Sequence, residues 1–391
     1  MSRKILFVAM PESVHAARWV GQLVGQGWDI SFFPVYRAQV HPGLRSLTLF
    51  GSEPLRPAAL DGSVRYRGWP SYYFYRDYIE SRLRHRPTLF KEKALARAIR
   101  ETKPDLIHAL EFQHSAYLAM GAKKLLPGPF PKWIATNWGS DIYLFGRLAE
   151  HRPKIAEVLA NCDFYSAECE RDVELALEMG FRGQVLPVLP NGGGYDLEAA
   201  SALRQPGPTS SRRVIALKGY QTWAGRALVG LAALKLCAEQ LSGYEIVLYS
   251  AGEDVRVAAE LFGQETGLRV TILPPTRHEE ILETHGRARI SIGLSISDAI
   301  STSLLETLLM GAFPIQSGTA CANEWIEHGK SGLIVPPEDP HDIAQAIRRA
   351  LADDALVDSA AELNANTARL RLEQGMIKSQ VVKMYQEILA G

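Results

Sequence analysis

No stretch of this chain approaches the roughly 20 consecutive apolar residues that span a bilayer. The N-terminus, MSRKILFVAM, starts basic, but its apolar run is too short for a secretory leader and reads as a strand entering a fold. Cysteine is scarce. Cys162, Cys169, Cys237 and Cys321 are too few and too scattered for a disulfide framework or a zinc ribbon, so reduced core thiols are expected. Net charge is missing too: 43 basic side chains balance 43 acidic ones, which argues against whole-chain attraction to nucleic acid. Several catalytic signatures are also lacking. No Walker A loop and no Gly-x-Gly-x-x-Gly occurs, and GYQTWAGRALVG has the wrong spacing for the latter. HEEILETH is not a His-Glu-x-x-His zinc helix, because its second histidine comes three positions late. There is no Gly-x-Ser-x-Gly elbow and no Asp-x-Asp metal clamp. The expectation these absences leave is a soluble, cytoplasmic protein that needs no metal.

What is present is apolar material in a regular rhythm. With 391 residues, 47% of them hydrophobic, the chain can bury two full cores. Apolar runs of strand length alternate with amphipathic helical segments, the pattern of parallel sheets covered on both faces. The first half offers ILFVA, DISFFPV, DLIHAL, WIATN, DFYSA and QVLPV as strands. The second offers RVIALKG, YEIVLYS, LRVTILP, ARISIGL, AFPIQS and GLIVP. Between them, PNGGGYDLEAASALRQPGPTSSRR is rich in glycine, proline and serine and reads as an interdomain linker. Two Rossmann-like α/β domains facing each other across a cleft are therefore expected, with ligands beyond the carboxyl ends of the strands.

One segment carries the chemistry: SDAISTSLLETLLMGAFPIQSG, which opens as a polar loop, becomes a helix and ends as a buried strand. Ser301, Thr302 and Ser303 suit a helix start, because their oxygens can satisfy its first free N–H groups. Those N–H groups and the helix dipole also attract phosphate. Asp298 lies just before the helix and Glu306 one turn into it, eight positions apart. Two acids flanking an anion site suit a nucleotide sugar, which carries hydroxyls on either side of its diphosphate.

An acid, seven residues and a glutamate, followed by a small-residue turn and a proline-centred strand, resembles the retaining glycosyltransferases of family four, which have the GT-B fold. The likeness continues in HGKSGLIVPPEDPHDIAQAI and, earlier, in SVHAARWVGQLVGQGWDISFF, KPDLIHAL and NWGSDIY, so it covers nearly the whole chain. The resemblance implies that Glu306 binds the ribose hydroxyls of the donor, that Asp298 holds hydroxyls of the transferred sugar, and that the backbone from Ile300 to Thr302 cradles the pyrophosphate. It also implies two cations at the start of the second domain that neutralise the leaving diphosphate. Lys218 and Arg226 in LKGYQTWAGRA fill those places in reversed order. The implied division is an N-terminal acceptor domain over residues 1–195, a linker over 196–211, a donor domain over 212–372, and a C-terminal helix over 373–391 that packs back on the first domain.

The first half matches less closely. Where relatives carry a histidine before Gly-x-Asp, this chain has Trp138, in TNWGSDIY. Asp141 is the first candidate for a polar group beside the reacting sugar or the acceptor hydroxyl, with an N-cap as the plain alternative. Trp138 could stack on a sugar face. His114, after the third of these strands, is a second candidate, and a helix-start histidine without a role is its alternative. His15 and Glu12 follow the first strand, in AMPESVH, where relatives carry paired glycines. Residues 1–100 hold 16 basic and 7 acidic side chains. Residues 65–93 interleave Arg65, Arg67, Arg76, Arg82, Arg84, Arg86, Lys91 and Lys93 with Tyr66, Trp69, Tyr72, Tyr73, Phe74, Tyr75 and Tyr78, and Arg97 and Arg100 lie just beyond. That mixture suits an anionic membrane surface, a lipid-diphosphate acceptor or sugar stacking, and it would also suit RNA. A solvated helix with an aromatic inner face is the plain reading.

The function this implies is a retaining glycosyltransferase that moves a sugar from a nucleoside diphosphate sugar to a hydroxyl of a glycan or lipid-linked acceptor in cell-envelope polysaccharide assembly. Front-face attack, with the donor phosphate helping to take the acceptor proton, makes a protein base optional. No cofactor, metal or nucleic acid is expected, and the place of action is the cytoplasm or the inner face of the membrane. A nucleotide-sugar epimerase on the same architecture and a catalytically silent nucleotide-sugar-binding subunit are the rival readings.

Overall fold

The computed structural model describes residues 2–51, 60–69, 71–83 and 89–391. They form two compact units: residues 1–193 with 377–391, and residues 194–376.

Among the described residues of the first unit there are eight strands: β1 (Lys4–Ala9), β2 (Asp29–Pro34), β3 (Thr48–Phe50), β4 (Arg65–Arg67), β5 (Leu106–Leu110), β6 (Lys132–Thr136), β7 (Phe164–Ser166) and β8 (Gln184–Val185). All pair in parallel, in the order β4-β3-β2-β1-β5-β6-β7-β8. The central strands are apolar because helices cover both faces, and Phe7, Ile107 and Trp133 are fully buried. Six of the eight were anticipated. β3 and β4 were not, since each has only three residues and β4 is the polar edge Arg65–Tyr66–Arg67.

The final helix, Gln374–Ala390, belongs to this unit from Ile377 onward. It buries Ile377, Val381, Met384, Tyr385, Ile388 and Leu389. The Tyr385 hydroxyl accepts from Trp19 Nε1 at 2.9 Å and meets His108 Nδ1, while His108 Nε2 lies 2.5 Å from Thr136 Oγ1.

Six parallel strands build the second unit: β9 (Val214–Lys218), β10 (Glu245–Tyr249), β11 (Arg269–Ile272), β12 (Ala288–Gly293), β13 (Phe313–Ser317) and β14 (Leu333–Val335). Their order is β11-β10-β9-β12-β13-β14, the arrangement of dinucleotide-binding sheets. The stretch read as a linker, residues 196–211, is part of this unit. It contains the helix Leu197–Ala202, capped by Asp196, whose carboxylate accepts from Ala199 N. Beyond that helix the Thr209 hydroxyl donates to Gly311 O at 2.7 Å, and Asp358 holds both the backbone N–H and the hydroxyl of Ser210. A glycine- and proline-rich composition here serves close packing, not a loose connection.

In each sheet the strand order reverses once, between β1 and β5 in the first unit and between β9 and β12 in the second. Loops leaving neighbouring strands diverge at such a point and open a crevice at the carboxyl ends. All four cysteines are buried and free. Among the described residues no helix is long and apolar enough to cross a membrane.

Arg84 and Arg86 lie outside the described residues, and so do the side chains of Tyr72, Tyr73 and Phe74. Of the rest of the basic aromatic segment, Trp69 is core, packed on Phe33 and Phe50. Arg67 and Arg97 both pair with Glu101 at 2.7 Å, and Lys93 lies 3.9 Å from Glu80. Tyr75, Tyr78, Ile79 and Leu83 are exposed on the helix Ser71–Leu83.

Candidate active site

In the second unit, Lys218 ends β9 at the switch point and its Nζ donates to Ser301 Oγ at 3.2 Å. Ser301 is the N-cap of the helix Thr302–Met310, yet no side chain caps that helix. Its hydroxyl is turned to the lysine, and the Ser303 hydroxyl is turned to Tyr249. The expectation that these hydroxyls satisfy the first N–H groups is therefore corrected. Serine oxygens tie the helix start to β9 and β10, and the helix dipole remains uncapped beside a cation. Ile300 and Ser301 are buried and Thr302 is half-buried.

Glu306, one turn further, is only 4% exposed. Its Oε1 lies 2.6 Å from His278 Nε2 and its Oε2 3.8 Å from His285 Nε2. Both histidines come from one helix, His278–Arg287, and seven residues of spacing place them two turns apart on one face. In HEEILETH that spacing excludes a zinc helix, yet it already sets two imidazoles in one direction. Full burial pushes His285 down to about 4, so it is neutral at physiological pH, and Ser291 and Thr307 hydroxyls flank its Nδ1. Tyr195 stacks on His278 with ring centroids 6.2 Å apart.

Asp298 is half-buried in the loop after β12, and its carboxylate accepts from Ala299 N at 3.0 Å. Arg226 precedes the helix Ala227–Lys235, and Glu338 binds its guanidinium at 2.9 Å. Its charge is thus met within the protein, whereas the described ion pairs include none to Lys218. Gly225 beside it is obligatory, since a Cβ there would lie 2.0 Å from Tyr220 O.

In the first unit, the loops after β1, β2, β5 and β6 bring polar groups to the switch point. Asp141 is 6% exposed, and its Oδ2 accepts from Phe112 N at 2.9 Å and Trp138 N at 2.8 Å. It neither caps a following helix nor stands open as a base; it ties the loop after β6 to the loop after β5. Burial, reinforced by the nearby Glu111, raises its pKa well above the ordinary aspartate range. Glu111 was not anticipated from the sequence. It is buried, sits at φ 81°, ψ 157°, and accepts from the backbone N–H groups of His114 and Ser115. His114, exposed, holds its Nδ1 3.0 Å from Glu111 Oε2. Its ring meets that of Tyr36 edge-on at 5.7 Å, and the Tyr36 hydroxyl donates to Glu12 Oε1 at 2.5 Å. His15 meets Trp138 edge-on at 5.9 Å.

Two family models match the chain: "Glycosyl transferase 4-like" over residues 70–167 and "Glycosyl transferases group 1" over residues 218–353, together more than half of it. A curated relative, the exopolysaccharide phosphotransferase SCO2592 of Streptomyces coelicolor, is 31% identical over 155 residues, which are 38% of this chain and only 16% of that protein. Among solved structures, sucrose-phosphate synthase from Thermosynechococcus elongatus superposes with a TM-score of 0.71 at 17% identity over 99% of both chains. HepE of Anabaena, in complex with UDP and glucose, superposes at 0.69 and 14% identity over 98% of this chain and 99% of that one. A trehalose-6-phosphate structure from E. coli, bound with UDP-2-fluoro glucose, gives 0.68 at 12% identity over 99% of both chains. On these two matches and this whole-chain likeness, the chain belongs to the group 1 glycosyltransferases of the family-four type and has their GT-B fold.

Proposed function

We propose that this glycosyltransferase moves a sugar, with retention, from a uridine diphosphate sugar to a hydroxyl of a glycan or lipid-linked acceptor, in cell-envelope polysaccharide assembly. One observation carries the donor side. Lys218 reaches the uncapped start of the helix Thr302–Met310 at the switch point of a six-stranded parallel sheet. A cation and free helix N–H groups at that position answer the charge that builds on a leaving diphosphate. This reading needs no metal, so transfer should be unchanged by chelators. Glu306, one turn along, is assigned to the ribose hydroxyls, with His278 giving way to them or moving with the carboxylate. Asp298 is assigned to hydroxyls of the sugar, and the backbone of Ile300 to Thr302 to the pyrophosphate. Arg226 has a weaker claim, because Glu338 already holds it.

Support for uridine is that two structural relatives hold UDP or a UDP-sugar, and support for the polysaccharide setting is the likeness to an exopolysaccharide phosphotransferase. A thermal-shift screen of nucleoside diphosphates and their sugar conjugates tests the donor. UDP and UDP-sugars should raise the melting temperature more than their guanosine and adenosine counterparts, by mass action. A flat screen would remove the proposal. The Arg226–Glu338 pair also favours a second reading, a subunit that binds the donor without turning it over. Stabilisation by UDP-sugars with no UDP released over any acceptor panel would establish it.

A further inference from the structure

The two imidazoles that reach the Glu306 carboxylate are not equivalent. His278 holds Oε1 at 2.6 Å and keeps 35% of its side chain open to solvent. The His285 side chain has no exposure at all, and its Nε2 stops 3.8 Å from Oε2. That distance is too long for a hydrogen bond, and Nε2 has no other hydrogen-bond partner among the described residues. A fully buried ring nitrogen left in this way is uncommon and costs stability. Here it is aimed at a carboxylate oxygen. Every residue in this arrangement lies within 194–376, so it is internal to the second unit.

The other ring nitrogen decides what Nε2 carries. Nδ1 lies 3.2 Å from Ser291 Oγ and 3.3 Å from Thr307 Oγ1. The Thr307 hydroxyl has a carbonyl acceptor, Ser303 O at 2.7 Å, and gives its single hydrogen there. The Ser291 hydroxyl, 2.9 Å from Thr307 Oγ1, can then donate either to Thr307 or to Nδ1. The Glu306 charge decides between them. A ring lone pair facing a carboxylate oxygen is repelled and an N–H is attracted, so Ser291 donates to Nδ1 and the ring hydrogen sits on Nε2. A neutral imidazole thus points an unpaired N–H at Glu306.

We propose that His285 is a positioning residue for the donor: when ribose hydroxyls engage Glu306 from the open His278 side, the carboxylate closes by about 1 Å onto His285, and the Nε2–H anchors it through Oε2. This deepens the donor reading above and rests on it. A carboxylate covered by a ligand loses its remaining hydration and must be served by donors inside the protein. His285 serves it whether His278 yields Oε1 or moves with it. The ligand class that profits is a ribonucleotide, whose hydroxyls the anchored carboxylate grips; a nucleotide without those hydroxyls gains nothing from the anchor. The device concerns binding alone and adds no proton-transfer step.

The test compares UDP with 2′,3′-dideoxy-UDP, by calorimetry and by histidine NMR on the full chain. Wild type should favour UDP. His285→Leu should weaken UDP about tenfold and leave the dideoxy analogue unchanged, since the lost hydrogen bond acts only through the hydroxyls. His285→Gln, whose amide keeps an N–H, should restore part of the loss. In a Glu306→Ala background His285→Leu should have no further effect on UDP. A merely structural role would weaken both ligands alike. The NMR arm needs no variant: His285 should be the Nε2–H tautomer, and its Nε2 proton should move downfield on saturation with UDP and stay in place with the dideoxy analogue. An Nδ1–H tautomer, a Nε2 proton unmoved by UDP, or a folded His285→Leu that keeps the full preference for UDP would overturn the role of His285 while UDP binding upheld the donor reading. Equal weakening of both ligands in His285→Leu would overturn it too. A wild type that binds both ligands equally would remove Glu306 from the ribose, and one that binds neither would remove the donor reading; the role of His285 falls in either case.

Discussion

Glu306 is buried between two imidazoles, so its orientation does not depend on a ligand arriving. On the proposed reading a carboxylate fixed in this way would be preorganised for donor hydroxyls, and Lys218 is fixed likewise by Ser301. Glu306→Ala and Lys218→Ala should each cut turnover by about a hundredfold or more, since each removes a charged contact of roughly 2–4 kcal/mol in the transition state. Steady-state kinetics on both variants measures this, and near-normal rates in both would refute the site. His278→Ala should act differently. It frees the carboxylate without removing it, so KM for the donor should rise several-fold with kcat little changed, and His278→Gln should restore part of the loss. The sequence disclosed this half of the site unevenly. Glu306 stood in a recognisable motif, and Lys218 ended a recognisable strand. The histidines come from another helix, and only the fold brings them to the carboxylate. Glu111 was hidden for a different reason: its role follows from a backbone conformation that no pattern of residue types encodes.

Elements explain why the second sheet was legible throughout and the first was not. The four inner strands of the second unit, β10, β9, β12 and β13, are largely buried runs of five or six residues flanked by helices, as parallel burial requires. The edge strands β11 and β14 still carry Val270, Ile272 and Leu333–Val335. In the first unit β4 is the edge strand, where a polar face is tolerated, and β3 beside it has only three residues, so periodicity had nothing to detect. The terminal helix is the element with the greatest leverage. From Ile377 onward it buries six large apolar side chains, each contributing about 1.5–3 kcal/mol. The sum, on the order of 10 kcal/mol, matches the whole stability of an ordinary domain. Removing it also strips Tyr385 from Trp19 and His108 and leaves both buried without that partner. A chain ended at Met376 should therefore lose cooperative structure in residues 1–193 while residues 194–376 stay folded. Peptide-resolved hydrogen exchange would show protection lost in the first set and kept in the second. Undiminished protection across residues 1–193 would contradict this account of the helix.

At the scale of the molecule, each unit carries one fully buried neutral histidine among the described residues, and the two units should respond to acid differently. Burial lowers His108 in the first unit to about 3 and His285 in the second to about 4, from an ordinary value of 6.5. Below pH ~6.5 an unfolded chain binds protons on these rings while the folded chain does not, so stability falls as pH falls. Each ring costs about 1.4 kcal/mol per pH unit across that window, or some 2–3 kcal/mol by pH ~4.5. In the first unit His41, lowered by partial burial, adds to the loss on acidification, whereas Asp141, Asp172 and His114 act in the opposite sense. Their folded pKa values are raised, so they gain protons in the folded state first and add stability as pH falls through those values. No group in the second unit with a raised pKa titrates in that range among the described residues; Tyr249 and Cys237 lie far above it. Acidification from pH ~7 to ~4.5 should thus loosen residues 194–376 before residues 1–193. Hydrogen exchange at a series of pH values would resolve the order, and His285→Gln should flatten the response of the second unit alone. Simultaneous loss of protection in both units, or earlier loss in the first, would show that groups other than these buried rings govern the acid limb.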